Sequence, residues 1–146
     1  MYAGSMQDLH TRVTSSILIQ IMSEPAFNVL RTREQLGYIV SCTPWTLSGE
    51  GARGIRIVIQ SERTPAYLEQ RVDAFLAEMR QTIVDMSEEE WQEQKKGLEQ
   101  KWLEKVKNMN EETNTFWVHI DTGSLDFLRS KYRHCYAPSA VDLIDF

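Results

Sequence analysis

The chain holds three histidines, His10, His119 and His134, the residue type from which zinc chemistry or general-base catalysis is most often built. Three residues on from each stand Val13, Thr122 and Ala137, so there is no H-x-x-E-H, and H-E-x-x-H is absent as well. The two imidazoles on one helix face and the glutamate that a zinc-activated water needs are not supplied, and no metal ligand is expected in this chain. His134 and Cys135 are adjacent, which points their side chains apart. No G-x-S-x-G is present to mark a nucleophile, and Glu88, Glu89 and Glu90 read as the favourable acidic first turn of a helix. The glycines around Glu50 and Arg53 join two strand patterns, whereas a phosphate loop joins a strand to a helix. No catalytic residue is assigned.

A binding pair stands out instead. Arg31 and Tyr38 are seven residues apart, nearly two helical turns, so a helix reaching Gly37 would bring both side chains out on one side. A guanidinium and a phenol offer fixed donors to a carbonyl oxygen, as stabilising a peptide oxyanion requires. The alternative is structural: Arg31 caps or pairs with Glu34, and Tyr38 packs in a sheet.

The element that must position them is the corner Leu30–Val40. Phe27, Leu30 and Leu36 are apolar points of a helical pattern; Tyr38, Ile39 and Val40 favour a strand; Gly37 between them suits a left-handed C-cap. Upstream, Ser5 and Asp8 resemble a helix cap, followed by Leu9, Val13, Ile17 and Ile21 on one buried face. Pro25 suits the first turn of a second helix, capped by Ser23 or Glu24. Tyr38 to Pro44 and Gly54 to Ser61 read as two strands around a turn-rich Thr46 to Arg53, with Ile55, Ile57 and Ile59 alternating against Arg56, Val58 and Gln60.

Thr64-Pro65 opens a helix carrying Leu68, Val72, Phe75, Leu76, Met79 and Ile83, and Ser87 with Glu90 forms a capping box for the next, whose stripe is Trp91, Leu98, Trp102 and Val106. Gly97 suggests close packing or a bend there. Asn110 or Thr113 starts a helix holding Phe116, Trp117 and Ile120 and ending at Gly123; Leu125 to Tyr132 and a segment capped by Ser139 and Asp142 follow. The fold class is α+β: a short antiparallel sheet with several helices packed on one face, in a single domain spanning residues 1–146.

Composition narrows the partners. In 146 residues, 42% are hydrophobic and 25% charged, which suffices for a real core, and the 16 basic residues are dispersed within a net charge of −5, so nucleic acid is an unfavoured partner. No run of residues is apolar enough to span a membrane and no signal-peptide layout opens the chain, so a cytoplasmic setting follows by default. Cys42 reads as a small core residue, and a disulfide to Cys135 is not expected.

The words Ser23-Glu24-Pro25, Leu30-Arg31-Thr32, Glu34-Gln35-Leu36-Gly37-Tyr38 and Ile59-Gln60-Ser61-Glu62 closely resemble the C-terminal half of the insulin-degrading-enzyme (insulysin/pitrilysin, inverzincin) family of metallopeptidases. The resemblance implies an incomplete fourth domain, truncated at both ends, of a zinc metalloendopeptidase that degrades peptides in a closed chamber. Zinc would be bound by the N-terminal half, which is a partner absent from this chain, and the fragment alone would be inactive. By the same resemblance Arg31 and Tyr38 match the arginine and tyrosine that hold the substrate backbone near the metal, with Gln35, Leu36 and Gly37 in place between them. The rival is a catalytically silent assembly module, like the inactive subunits of related processing peptidases. The family's upstream strands do not precede Tyr2, and a two-strand hairpin with an unpaired edge invites another chain, so self-association of the fragment is expected.

Overall fold

The computed structural model describes residues 2–5, 9–47, 52–121, 123 and 127. Its elements are β1 (Tyr2–Ser5), α1 (Leu9–Ala26) running directly into a π-helix (Phe27–Arg33), β2 (Ile39–Leu47), β3 (Ala52–Gln60), α2 (Pro65–Val84), α3 (Glu88–Leu103) and α4 (Met109–Asp121). The α+β class holds. The segments expected at Leu125 to Tyr132, apart from Phe127, and after Ser139, with His134 and Cys135, lie outside the described residues.

The sheet is antiparallel in the order β1-β3-β2. β2 and β3 pair without interruption from Ile39↔Gln60 to Leu47↔Ala52, so Thr46, Leu47, Ala52 and Arg53, read as turn, are ladder residues. The third strand corrects two expectations: Ser5 is no helix cap, and the sheet is more than a hairpin. Four residues containing Gly4 are too short for an alternating pattern; β1 exists through its pairing with Ala52, Arg53 and Gly54, with an irregularity between Tyr2 and Gly4. Pro44 is tolerated because β2 is an edge strand. One face is buried as the alternation predicts: Val40, Cys42 and Ile55 are in the core with Ile57 and Ile59 against it, while Arg56, Val58 and Gln60 are exposed. Burial raises the pKa of the Cys42 thiol.

α1 lies between this face and α3. It was read as having one buried side, yet Thr11, Arg12, Thr14 and Ser15 are buried along with Val13, Ile17 and Ile21. Neighbours on two sides, the sheet and α3, are the reason. Ser15 and Ser16 both donate to the Arg12 carbonyl, and Arg53 of β3 donates to Ser15 Oγ (2.6 Å) and Ser16 Oγ (2.9 Å).

Pro25 starts no new helix; it sits inside α1. Lacking an N–H, it leaves the usual acceptor four residues back unfilled, and the chain widens into the π-helix two residues later. Met22, Ala26 and Leu30 all reach the same core, so burial carries the helix through a residue that would break it locally.

The later helices follow their patterns closely. Thr64 is the N-cap residue of α2, which buries Phe75, Met79 and Ile83. Ser87 and Glu90 form the reciprocal capping box of α3, which buries Trp91 and Leu98. That helix stops at Leu103, leaving Val106 outside it and 41% exposed. Gly97 faces α1, where a Cβ would meet Gln20 Nε2 at 3.5 Å, an ordinary contact. Of the two expected starts, Asn110 and Thr113, α4 follows the first to within one residue, because Asn108 Oδ1 accepts from the Glu111 N–H while Glu111 accepts from the Lys107 N–H; Gly123, at φ 67°, follows its end.

Candidate functional site

Arg31 stands in the π-helix with its guanidinium carbon 4.7 Å from the centroid of Phe27 and 5.3 Å from that of Tyr38. A cation at such distances from a ring is held by the ring quadrupole. Phe27 is 41% and Tyr38 79% exposed, so the stack lies at the surface with the phenol open to solvent.

The local chain explains how the three side chains meet. On the wide turns of a π-helix, residues four apart lie nearly one above the other, which sets Phe27 beneath Arg31. The helix does not reach Gly37. It closes with Glu34 N–H donating to the Val29 carbonyl and Leu36 N–H to the Leu30 carbonyl, each at 2.9 Å. Tyr38 then arrives one residue ahead of β2, its N–H donating to the Gln60 carbonyl at 3.2 Å. Chain reversal joins Arg31 to Tyr38, not the count of helical turns.

Gly37 is needed for another reason than a left-handed cap. The residue with positive φ is Gln35, at 53°, whereas a Cβ on Gly37 would lie 2.0 Å from the Gln60 carbonyl oxygen. The glycine permits close approach of β2 to β3. Beside it opens a depression of about 680 Å³ lined by Gln35, Leu36, Tyr38 and the loop Gln60 to Arg63.

Glu34 does not pair with Arg31. Arg71 of α2 donates from Nε to Glu34 Oε2 (2.7 Å) and from Nη2 to Oε1 (2.6 Å), and this fork, opposed in part by burial, holds the Glu34 carboxyl below its usual range. Arg33 turns to Glu78 at 2.9 Å. Among the described residues Arg31 has no carboxylate partner. Phe27 and Arg71 are therefore members of the site that the sequence reading missed. The four-residue spacing of Phe27 to Arg31 carried a signal; Arg71 is 37 positions from Glu34 and carried none.

Among the described residues the histidines, His10 and His119, are not part of a gathered ligand set. His10 is half-buried with Nδ1 3.5 Å from Thr14 Oγ1, and His119 is buried edge-on to Phe127. No three His, Cys, Asp or Glu side chains among the described residues are gathered as a metal ion requires.

Comparison with known proteins gives the family. Residues 17–117 match the family described as PQQ synthase PqqF-like, C-terminal lobe domain 4. The chain is 39% identical to human insulin-degrading enzyme over 99% of its own length and 14% of the relative's, and 41% identical to the A-factor-processing enzyme of Saccharomyces cerevisiae over 77% and 11%. The crystal structure of pitrilysin superposes with a TM-score of 0.74 at 22% identity, covering 100% of this chain and 16% of that one, which shows the shared fold. The class is thus that of a PqqF-like C-terminal lobe domain. The chain belongs to the pitrilysin, or insulin-degrading enzyme, family, and it spans about one seventh of the length of the curated relatives it matches.

Proposed function

We propose that this chain is the substrate-orienting domain of a cytoplasmic zinc metalloendopeptidase, in which Arg31 and Tyr38 hold a peptide carbonyl against the zinc-carrying N-terminal half. The observation that carries this reading is the state of Arg31: within cation–π distance of two exposed rings, Phe27 and Tyr38, and without a carboxylate partner among the described residues. A guanidinium fixed in this way keeps N–H donors available to an oxygen brought from outside, and the Tyr38 hydroxyl adds another. When bound in the other half, zinc supplies an activated water. The residues here orient the carbonyl and favour the charge that develops on it.

The test uses the complete peptidase. Arg31→Ala and Tyr38→Phe are each expected to lower kcat/KM on the order of a hundredfold, about 3 kcal/mol, with zinc content unchanged. Wild-type turnover in the folded double variant would return both residues to a structural role and favour the silent-module reading.

A further inference from the structure

The depression of about 680 Å³ beside Gly37 is walled by polar groups. Gln35 and Gln60 bring primary amides to it, Glu62 a carboxylate and Arg63 a guanidinium, and these residues are exposed. Among the described residues none of the four side chains has a hydrogen bond or ion pair, so their donors and acceptors are available to a ligand. The backbone that carries them is held in place. The Tyr38 N–H donates to the Gln60 carbonyl at 3.2 Å, Gly37 lies against the same carbonyl, and the Ser61 hydroxyl accepts from the Arg63 N–H at 3.0 Å. Across from that turn, Gln35 is kept at φ 53°, a conformation that a residue with a Cβ retains only where the surrounding structure imposes it.

Tyr38 belongs to two features: its ring lies 5.3 Å from the Arg31 guanidinium, and it also lines the depression. An extended peptide advances about 3.3 Å per residue with side chains alternating in direction. A peptide carbonyl held at Arg31 and Tyr38 therefore brings a side chain one or two residues away to the depression. We infer that the depression is a subsite for a peptide side chain that carries a primary amide, glutamine or asparagine. With Arg31 committed to its rings and the carbonyl, the opposite charges of Glu62 and Arg63 leave the walls without net charge, which favours a neutral group over an ion. An amide both donates and accepts, as Gln35 and Gln60 do, whereas an apolar side chain would displace water from these groups and return no hydrogen bond. The inference rests on the proposed function, which brings the peptide to Tyr38, but preference among peptides is read separately from rate.

The test uses the complete peptidase and quenched-fluorescent peptides that carry Gln, Leu, Lys or Glu in turn at each of the two residues on either side of the cleaved bond. At one position kcat/KM for Gln should exceed that for Leu by about tenfold, and exceed those for Lys and Glu by a few fold. Gln60→Leu should remove most of the preference for Gln over Leu while the Leu peptide is cleaved as before. Glu62→Gln leaves Arg63 as the unopposed wall charge and should shift preference a few fold toward Glu; Arg63→Gln should shift it toward Lys. A loop that served only the fold would not produce shifts of opposite sign. Should Gln60→Leu fail to fold, the two charge variants are read alone. The absence of any position that prefers Gln, or a preference that the folded variants leave unmoved, overturns the inference. Full turnover in Arg31→Ala with the Gln preference intact would remove the proposed function and leave the subsite; a hundredfold loss in Arg31→Ala with no Gln preference in the wild type would do the reverse.

Discussion

Gly37 packs so closely against Gln60 that a Cβ on it would sit 2.0 Å from the carbonyl oxygen and 2.8 Å from the carbonyl carbon. The obstacle is backbone in the β2–β3 ladder, so it has no rotamer to turn away. Gly37→Ala is therefore expected to destabilise the chain by about 3 kcal/mol, the upper range for overpacking, and to displace Tyr38. Gln35→Gly should instead be neutral or stabilise by up to about 1 kcal/mol, since it relieves the left-handed conformation of a residue with a Cβ. Urea midpoints of the two variants check the contrast, and equal losses would contradict it.

Removing the ring beneath Arg31 separates positioning from folding. Phe27 is 41% exposed, so Phe27→Leu should change stability little. One face of the stack would be lost, about 0.5–1 kcal/mol, which is a few-fold decrease in the kcat/KM of the complete peptidase. An unchanged rate would mean that Tyr38 alone holds the guanidinium.

The Glu34–Arg71 fork has a signature in pH. The hydrogen bonds from Arg71 are the largest cause that lowers the Glu34 carboxyl below 4.5, burial opposes them, and the charges of Arg71 and Arg33 assist. A carboxyl with a lower pKa folded than unfolded adds stability above its unfolded value and loses that contribution as pH falls through the folded value. Stability should decline below pH 4.5, and Glu34→Gln should make the decline shallower. Denaturation midpoints across this window, with the same slope in wild type and variant, would count against the assignment.

The sheet predicts association. β1 pairs only with Ala52, Arg53 and Gly54 of β3, and Ile39, Trp45, Leu47 and Val58 are 38–48% exposed on β2 and β3. Unpaired strand edges next to exposed apolar side chains invite another chain. Light scattering on this chain alone should give a mass that rises above 17.0 kDa with concentration. A constant monomer mass at high concentration would show that the edge is protected.

Local chemistry made much of this protein readable in advance. The Ser87–Glu90 box, Pro65 at the head of α2, the stripe Phe75, Met79 and Ile83, and the alternation through Ile55, Ile57 and Ile59 each depend on residues a few positions apart, so their signal lies in the string itself. Arg31 and Tyr38 were likewise singled out in the string, and the structure brings the guanidinium to within 5.3 Å of the ring centroid.

What joins them was decided only in three dimensions. Pro25 sits within a helix because Met22, Ala26 and Leu30 share one core, and β1 exists because β3 offers it a partner. Gly37 is demanded by the Gln60 carbonyl, 23 residues on, rather than by its own φ. Glu34 turns from Arg31 to Arg71 because α2 delivers a rigid guanidinium fork to it. Such contacts depend on how elements distant in sequence pack together, and no local pattern of residue types encodes that packing.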